Sequence, residues 1–151
     1  MLRKIKLTQE GLQNYEDELR GYKKDRIPAI TALQRAREMG DLSENAAYRV
    51  ARSKLSFLDR NIRRIEAVLR RVEVVKKNEN GVIGVGSKVH VVSKNGELTF
   101  ILVDGYESDF AKGKISFYSP LGRAAQGKRK GDKMIVKTPR GNVEYNIIEV
   151  A

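Results

Sequence analysis

The chain has 151 residues, 40% of them apolar, and its 30 lysines and arginines outnumber 19 aspartates and glutamates to leave a formal charge of +11. That length supplies one or two small domains, and no apolar run approaches the ~20 residues of a membrane span. Zero cysteines and a single histidine exclude disulfides, thiolate metal sites and histidine-cluster metal sites, and count against a classical catalytic triad.

The N-terminus, Met1-Leu2-Arg3-Lys4-Ile5-Lys6, lacks the apolar core of a signal peptide, so a cytoplasmic protein is expected. The positive charge favours a polyanionic partner, and it is uneven: residues 1–77 carry 19 basic and 11 acidic side chains, residues 78–151 carry 11 and 8.

Residues 1–7 form a short lead-in, and Thr8 is placed as the N-cap of a first helix that runs to about Met39, with Gly40 as its stop. Apolar residues at 12, 15, 19, 22, 29, 33 and 36 keep a heptad rhythm broken only at Arg26. Pro28 removes one amide donor and predicts a bend or a break. A second helix is predicted from Asp41 to Ser43 onward, fading near Val74-Val75-Lys76-Lys77, with its seam at Tyr48, Ala51, Leu55, Leu58, Ile62, Ile65, Leu69 and Val72. The two seams mirror one another about residue 42, which predicts an antiparallel hairpin turning there. Arms of ~32 residues at ~1.5 Å per residue reach ~50 Å, a rod longer than a small core needs.

Asn78-Glu79-Asn80-Gly81 reads as a linker and divides the chain into a coiled-coil hairpin, 1–77, and a second domain, 78–151. Beyond Gly86 the period becomes two-fold, and strands are predicted at 88–93, 97–103, 114–118, 133–138 and 142–150, with hairpin turns at Asn95-Gly96 and Pro139-Arg140-Gly141-Asn142. Ser119 and Pro120 start a short helix as N-cap and first residue. The fold class expected is α+β: a helical hairpin followed by a small antiparallel sheet carrying one helix. His90 alternates away from the apolar face of its strand and reads as surface. The Gly81 to Gly86 run fits neither nucleotide-binding fingerprint.

At the turn of the hairpin, Asp41 and Glu44 are three residues apart, so a helix starting there projects both carboxylates from its first turn. The pattern suits a capping box. Its place at the end of a long basic rod, among arginines, also suits Mg²⁺, which takes oxygen ligands, keeps several waters and binds one or two protein carboxylates together with groups from a partner. Arg35, Arg37, Arg49 and Arg52 surround the pair and are poised for phosphates.

These residues carry a resemblance. Arg37-Glu38-Met39-Gly40-Asp41-Leu42-Ser43-Glu44-Asn45-Ala46, and Ser119-Pro120-Leu121-Gly122-Arg123-Ala124 with Gly127-Lys128 and Gly131-Asp132, resemble the bacterial Gre transcript-cleavage factors of the GreA/GreB family, and the smooth 120–123 match leans to the GreA type. The resemblance implies a coiled coil inserted through the secondary channel of RNA polymerase and an FKBP-like second domain docked near the channel entrance. It implies that Asp41 and Glu44 act as catalytic partners and ligands of a Mg²⁺ shared with the polymerase, in hydrolysis of backtracked RNA at its 3′ end. The polymerase performs the cleavage, and the factor is a monomer that is not itself an enzyme. Arg37, Ser43, Asn45, Arg49 and Arg52 are expected to face the RNA, and Ser119, Pro120, Leu121 and Arg123 the polymerase.

Two departures accompany the match. Ala47 stands where family members often carry an acid, which bears on tip electrostatics, and Ala125 and Gln126 replace bulky aliphatics, which bears on the docking surface. The alternatives are a Gre-fold inhibitor of the same channel, a prolyl isomerase, and a dimerising coiled coil. Retention of both tip acids counts against the first, the lack of tryptophan against the second, and the Gly40 turn against the third.

Overall fold

The computed structural model describes residues 2–76 and 79–151, so the 77/78 boundary expected from the linker signal lies outside the described residues. By packing, the chain forms two compact units, one of residues 13–71 and one that combines 1–12 with 72–151.

The first unit is a helical hairpin. Helix α1 spans Gln9–Arg37 and α2 spans Ala46–Leu69. Thr8 caps α1 as expected, its hydroxyl accepting from the Gly11 amide at 3.1 Å. Pro28 lies inside α1 without ending it: the proline is exposed while its neighbour Ala29 is buried, so the lost amide donor faces solvent and packing carries the helix onward.

Every predicted seam position in the two helices is buried or half-buried, with Ile65 wholly enclosed and Ala29, Leu33, Ala36, Ala51 and Leu58 nearly so. Enclosing each large aliphatic contributes roughly 1.5–3 kcal/mol. The pairing is antiparallel: Arg64 donates to Glu18 at 3.1 Å, Arg26 to Asp59 at 2.6 Å, and the Tyr22 and Phe57 rings meet edge to face at 6.3 Å. Arg26, the break in the heptad rhythm, is therefore the seat of a cross-helix ion pair.

The second helix starts later than the sequence predicts. Residues 38–45 form a turn, and Asn45 rather than Asp41 is the N-cap of α2. Its far end also differs. After Leu69 the chain leaves the helix and Val72–Val74 (β2) pairs in parallel with Ile5–Leu7 (β1), so the lead-in and the fading helical tail form a two-stranded sheet. Ile5 and Leu7 are fully buried.

The remaining elements of the second unit are β3 (Lys88–Ser93), β4 (Gly96–Val103), β5 (Lys114–Ser116), α3 (Pro120–Ala125), β6 (Lys133–Thr138) and β7 (Gly141–Val150). The sheet order is β5-β4-β3-β7-β6. Three of its pairings are antiparallel, and β5 joins β4 in parallel, so the sheet is mixed where a purely antiparallel one was expected. The crossover between β4 and β5 runs through two 3₁₀ turns at 105–107 and 110–112. The core contains Val89, Val91, Phe100, Leu102, Met134 and Ile147, each 1% exposed or less. His90 points off this core, as its alternation predicts, and lies 3.0 Å from Glu97. Among the described residues, no helix is long and apolar enough to cross a membrane.

Within the second unit the start of the chain is fastened to the 104–107 turn by buried charge. Asp104, fully enclosed, accepts two hydrogen bonds from Arg3, at 2.8 and 3.1 Å, and others from the amides of Lys6 and Tyr106. Glu107 accepts from the Thr8 amide at 2.9 Å and the Thr8 hydroxyl at 2.6 Å, while buried Lys114 lies 3.3 Å from Glu10 and 3.8 Å from Glu107. Burial opposes ionisation of Asp104, but the Arg3 guanidinium and the two amides overcome it and hold the carboxyl below the ordinary carboxylate range.

Two outcomes follow. The native chain binds fewer protons at Asp104 than the unfolded chain does. Its contribution to stability is thus complete above the unfolded value of ~3.9 and is lost as pH falls through the lower folded value; Asp104→Asn flattens that acid limb in unfolding curves taken against pH. A Cβ at Gly11 would overlap the Glu107 carboxylate, which Thr8 holds in place, whereas nothing lies near a Cβ at Gly21. Gly11→Ala therefore lowers stability by about 1–3 kcal/mol and Gly21→Ala raises it by roughly 0.5–1 kcal/mol, opposite signs readable by denaturant unfolding.

Candidate functional site

The turn that joins the two helices is shaped by its smallest and most polar residues. Gly40 sits at φ +122°, a conformation that side chains rarely adopt, so the chain reverses there. Asp41 then closes a local turn, one of its oxygens accepting from the Ser43 amide at 3.0 Å and the Ser43 hydroxyl at 2.9 Å. These two hydrogen bonds hold the Asp41 carboxyl below its ordinary value and keep it ionised. Its other oxygen has no hydrogen bond within the tip.

Asn45 grips both arms. Its carbonyl oxygen accepts from the Tyr48 amide at 3.1 Å, capping α2, and its amide nitrogen donates at 2.7 Å to the Ala36 carbonyl, which also accepts from the Met39 amide at 3.2 Å, so that the last turn of α1 is tied to the first of α2. Arg37 lies 6.0 Å over the Tyr48 ring. Asp41, Ser43 and Glu44 are exposed.

The structure thus brings Asp41, Ser43 and Glu44 into one eight-residue turn, but not into a shared helical turn. The capping-box reading fails because Asn45 can reach carbonyl and amide together and Asp41 cannot. Among the described residues no group of three or more His, Cys, Asp or Glu converges as a metal site. The turn holds three carboxylates, Glu38, Asp41 and Glu44, and because the three do not converge the tip offers at most two together, a donor set that fits Mg²⁺ only where another molecule completes its coordination.

Arg49 and Arg52 lie apart from the tip turn, on the outer face of α2. With Ser53, Ser56 and Arg60 they line a groove of about 450 Å³. The two serines and Arg60 were not singled out from the sequence, although the spacing 49, 53, 56, 60 marks one helical face opposite the seam.

In the second unit, Ser119 caps α3, its hydroxyl accepting from the Gly122 amide at 3.1 Å and donating to the Ser116 carbonyl at 2.6 Å. Pro120 and Arg123 are exposed, and Leu121 packs in part against the sheet core. A Cβ at Gly122 would overlap the Ser116 carbonyl oxygen, so this helix needs glycine to seat. Ala125 is fully buried, so its departure from a bulky aliphatic is a matter of core packing and not of the docking surface; Gln126 is exposed.

Comparison with known proteins agrees with this architecture. Residues 5–74 match the family model described as transcription elongation factor, N-terminal, and residues 77–151 match that described as transcription elongation factor, GreA/GreB, C-term. The chain is 40% identical to transcription elongation factor GreA of Paracoccus denitrificans, covering 99% of this chain and 98% of that one. It is 38% identical to GreA of Rhodospirillum rubrum over 99% and 98%, and 40% identical to GreA of Acholeplasma laidlawii over 94% of each. The chain belongs to the GreA/GreB family of transcription elongation factors.

Asn45→Ala removes the α2 cap together with the side-chain link to the Ala36 carbonyl. It is expected to destabilise the hairpin by about 1–2 kcal/mol, read as a lowered midpoint in chemical unfolding followed by helical circular dichroism.

Proposed function

We propose that this chain binds RNA polymerase, carries its helical tip through the secondary channel and stimulates the polymerase's own cleavage of backtracked RNA at the 3′ end, rescuing arrested complexes. The observation that carries the reading is the tip turn itself: two exposed carboxylates, one kept ionised by Ser43, at the end of a basic hairpin. Membership of a family of transcription elongation factors supports RNA polymerase as the partner.

In this reading Asp41 and Glu44 would hold a Mg²⁺ together with polymerase carboxylates. When bound, the ion supplies Lewis-acid stabilisation of the phosphodiester and lowers the pKa of its water. Asp41 contributes its free oxygen, because Ser43 occupies the other and fixes the direction of the carboxyl. Glu44 contributes a second acceptor for the attacking water. Asn45 holds the turn rigid between the arms, which keeps both carboxylates in one geometry. Arg37, Arg49 and Arg52 face RNA phosphates, with Ser43 and Asn45 at the tip surface. Ser119, Pro120, Leu121 and Arg123 form part of the surface that docks the second unit on the polymerase. The chain acts as a monomer in the cytoplasm and completes a catalytic centre that it does not own.

The test uses a stalled, backtracked elongation complex with 3′-labelled RNA and Mg²⁺. The parent chain releases short 3′ fragments, while Asp41→Asn with Glu44→Gln binds the polymerase equally and loses about 10²-fold or more in stimulated rate. Asn at 41 retains an oxygen for Ser43, so the turn survives and the charge alone is removed. Equal activity of the two chains, or binding that slows synthesis without cleavage, overturns the reading and favours an inhibitor.

A further inference from the structure

The tip turn holds one reactive group that the cleavage reading does not use. The chain has no cysteine, so its only oxidisable sulfurs are those of three methionines, Met1, Met39 and Met134. Met1 lies outside the described residues. Met134 stands in the core of the second unit, 1% exposed, whereas Met39 is 72% exposed in the turn that links α1 to Asp41. The Met39 backbone is fixed, its amide donating to the Ala36 carbonyl at 3.2 Å, and nothing lies within 4 Å of where a Cβ would sit at neighbouring Gly40. The thioether, on an unbranched and adaptable side chain, is therefore open to solvent from a rigid turn. Leu42, 40% exposed, is the other large apolar residue of the turn.

We propose that Met39 is a redox-sensitive modification site: hydrogen peroxide converts it to the sulfoxide, and the change lowers the tip's stimulation of cleavage until methionine sulfoxide reductases reverse it. The effect on cleavage rests on the function proposed above; the oxidation itself does not. In the forward step the thioether sulfur attacks one peroxide oxygen. A sulfur–oxygen bond forms, the O–O bond breaks, and the second oxygen leaves as water after a proton shift, so that sulfur loses the two electrons that peroxide gains. In the reverse step a dithiol supplies two electrons and two protons, the sulfoxide oxygen leaves as water and a disulfide remains on the reductant. The sulfoxide puts a polar hydrogen-bond acceptor where an apolar group stood. At the end of a part that sheds water to enter another protein, that added hydration opposes docking of the turn.

To test it, the full chain is treated with hydrogen peroxide, quenched with catalase, mapped by peptide mass spectrometry and assayed on the backtracked elongation complex. Met39 gains one oxygen roughly tenfold or more faster than buried Met134, and stimulated cleavage falls several-fold in step with oxidation at 39. Reductases for both sulfoxide epimers, supplied with dithiothreitol, restore the rate. Met39→Leu, which keeps an apolar side chain without the sulfur, holds its rate through the same treatment. The proposal is overturned if Met39 reacts no faster than Met134, if the chain oxidised at 39 cleaves as fast as the untreated one, or if Met39→Leu loses as much rate as the parent. An untreated chain that stimulates no cleavage overturns the cleavage reading instead. The site is then judged by polymerase affinity, and an affinity unchanged by oxidation at 39 overturns it too.

Discussion

A two-helix hairpin has to satisfy backbone groups at both helix ends of its turn, and here one side chain reaches both of them. Asn45 donates to the last turn of α1 and accepts from the first turn of α2, so both helix ends share a single residue. Most of the stability of helices in proteins comes from packing of an apolar face rather than from propensity, so it is the opposing seam that stabilises each arm. The seam can hold register up to the turn only if the turn is fixed. With Asn45 taking the capping role, Asp41 and Glu44 are released from helix duty and left facing solvent.

That release explains how a tip can be both rigid and chemically unfinished. Asp41 has one oxygen committed to Ser43 and one free, an arrangement that sets direction without satisfying the group. A site with two carboxylates and no third donor binds a hard cation weakly by itself, which suits a part whose task is to complete another molecule's centre.

Much of this was legible in the sequence. The heptad spacing located the seam, the mirror about residue 42 located the turn, and the Ser119-Pro120 signal located α3, because each rests on local chemistry. What escaped depended on distant partners. Residues 5–7 and 72–74 are too short to show alternation, and they become strands only by meeting each other. Asp41 looked like a cap since the pattern of a capping box is indifferent to which polar residue reaches a carbonyl nine positions away. Ala125 looked like surface because a six-residue helix shows too little periodicity to tell its buried side, and the parallel partner of β5 is set by a crossover that no local signal encodes.

The same division between local and distant contacts bears on the order in which the nascent chain can fold. All the partners of the hairpin are present once residue 71 has emerged, and its contacts close across one short turn, the kind of topology that folds fast. Arg3, Lys6 and Thr8 instead wait for Asp104 and Glu107, 98 to 101 positions downstream. Residues 3–8 are thus secured later than the hairpin that follows them in the chain. During that interval the Ile5–Leu7 strand has its partner in Val72–Val74 but lacks the 104–107 turn that fastens it, which leaves this segment more open to a chaperone or protease than the hairpin.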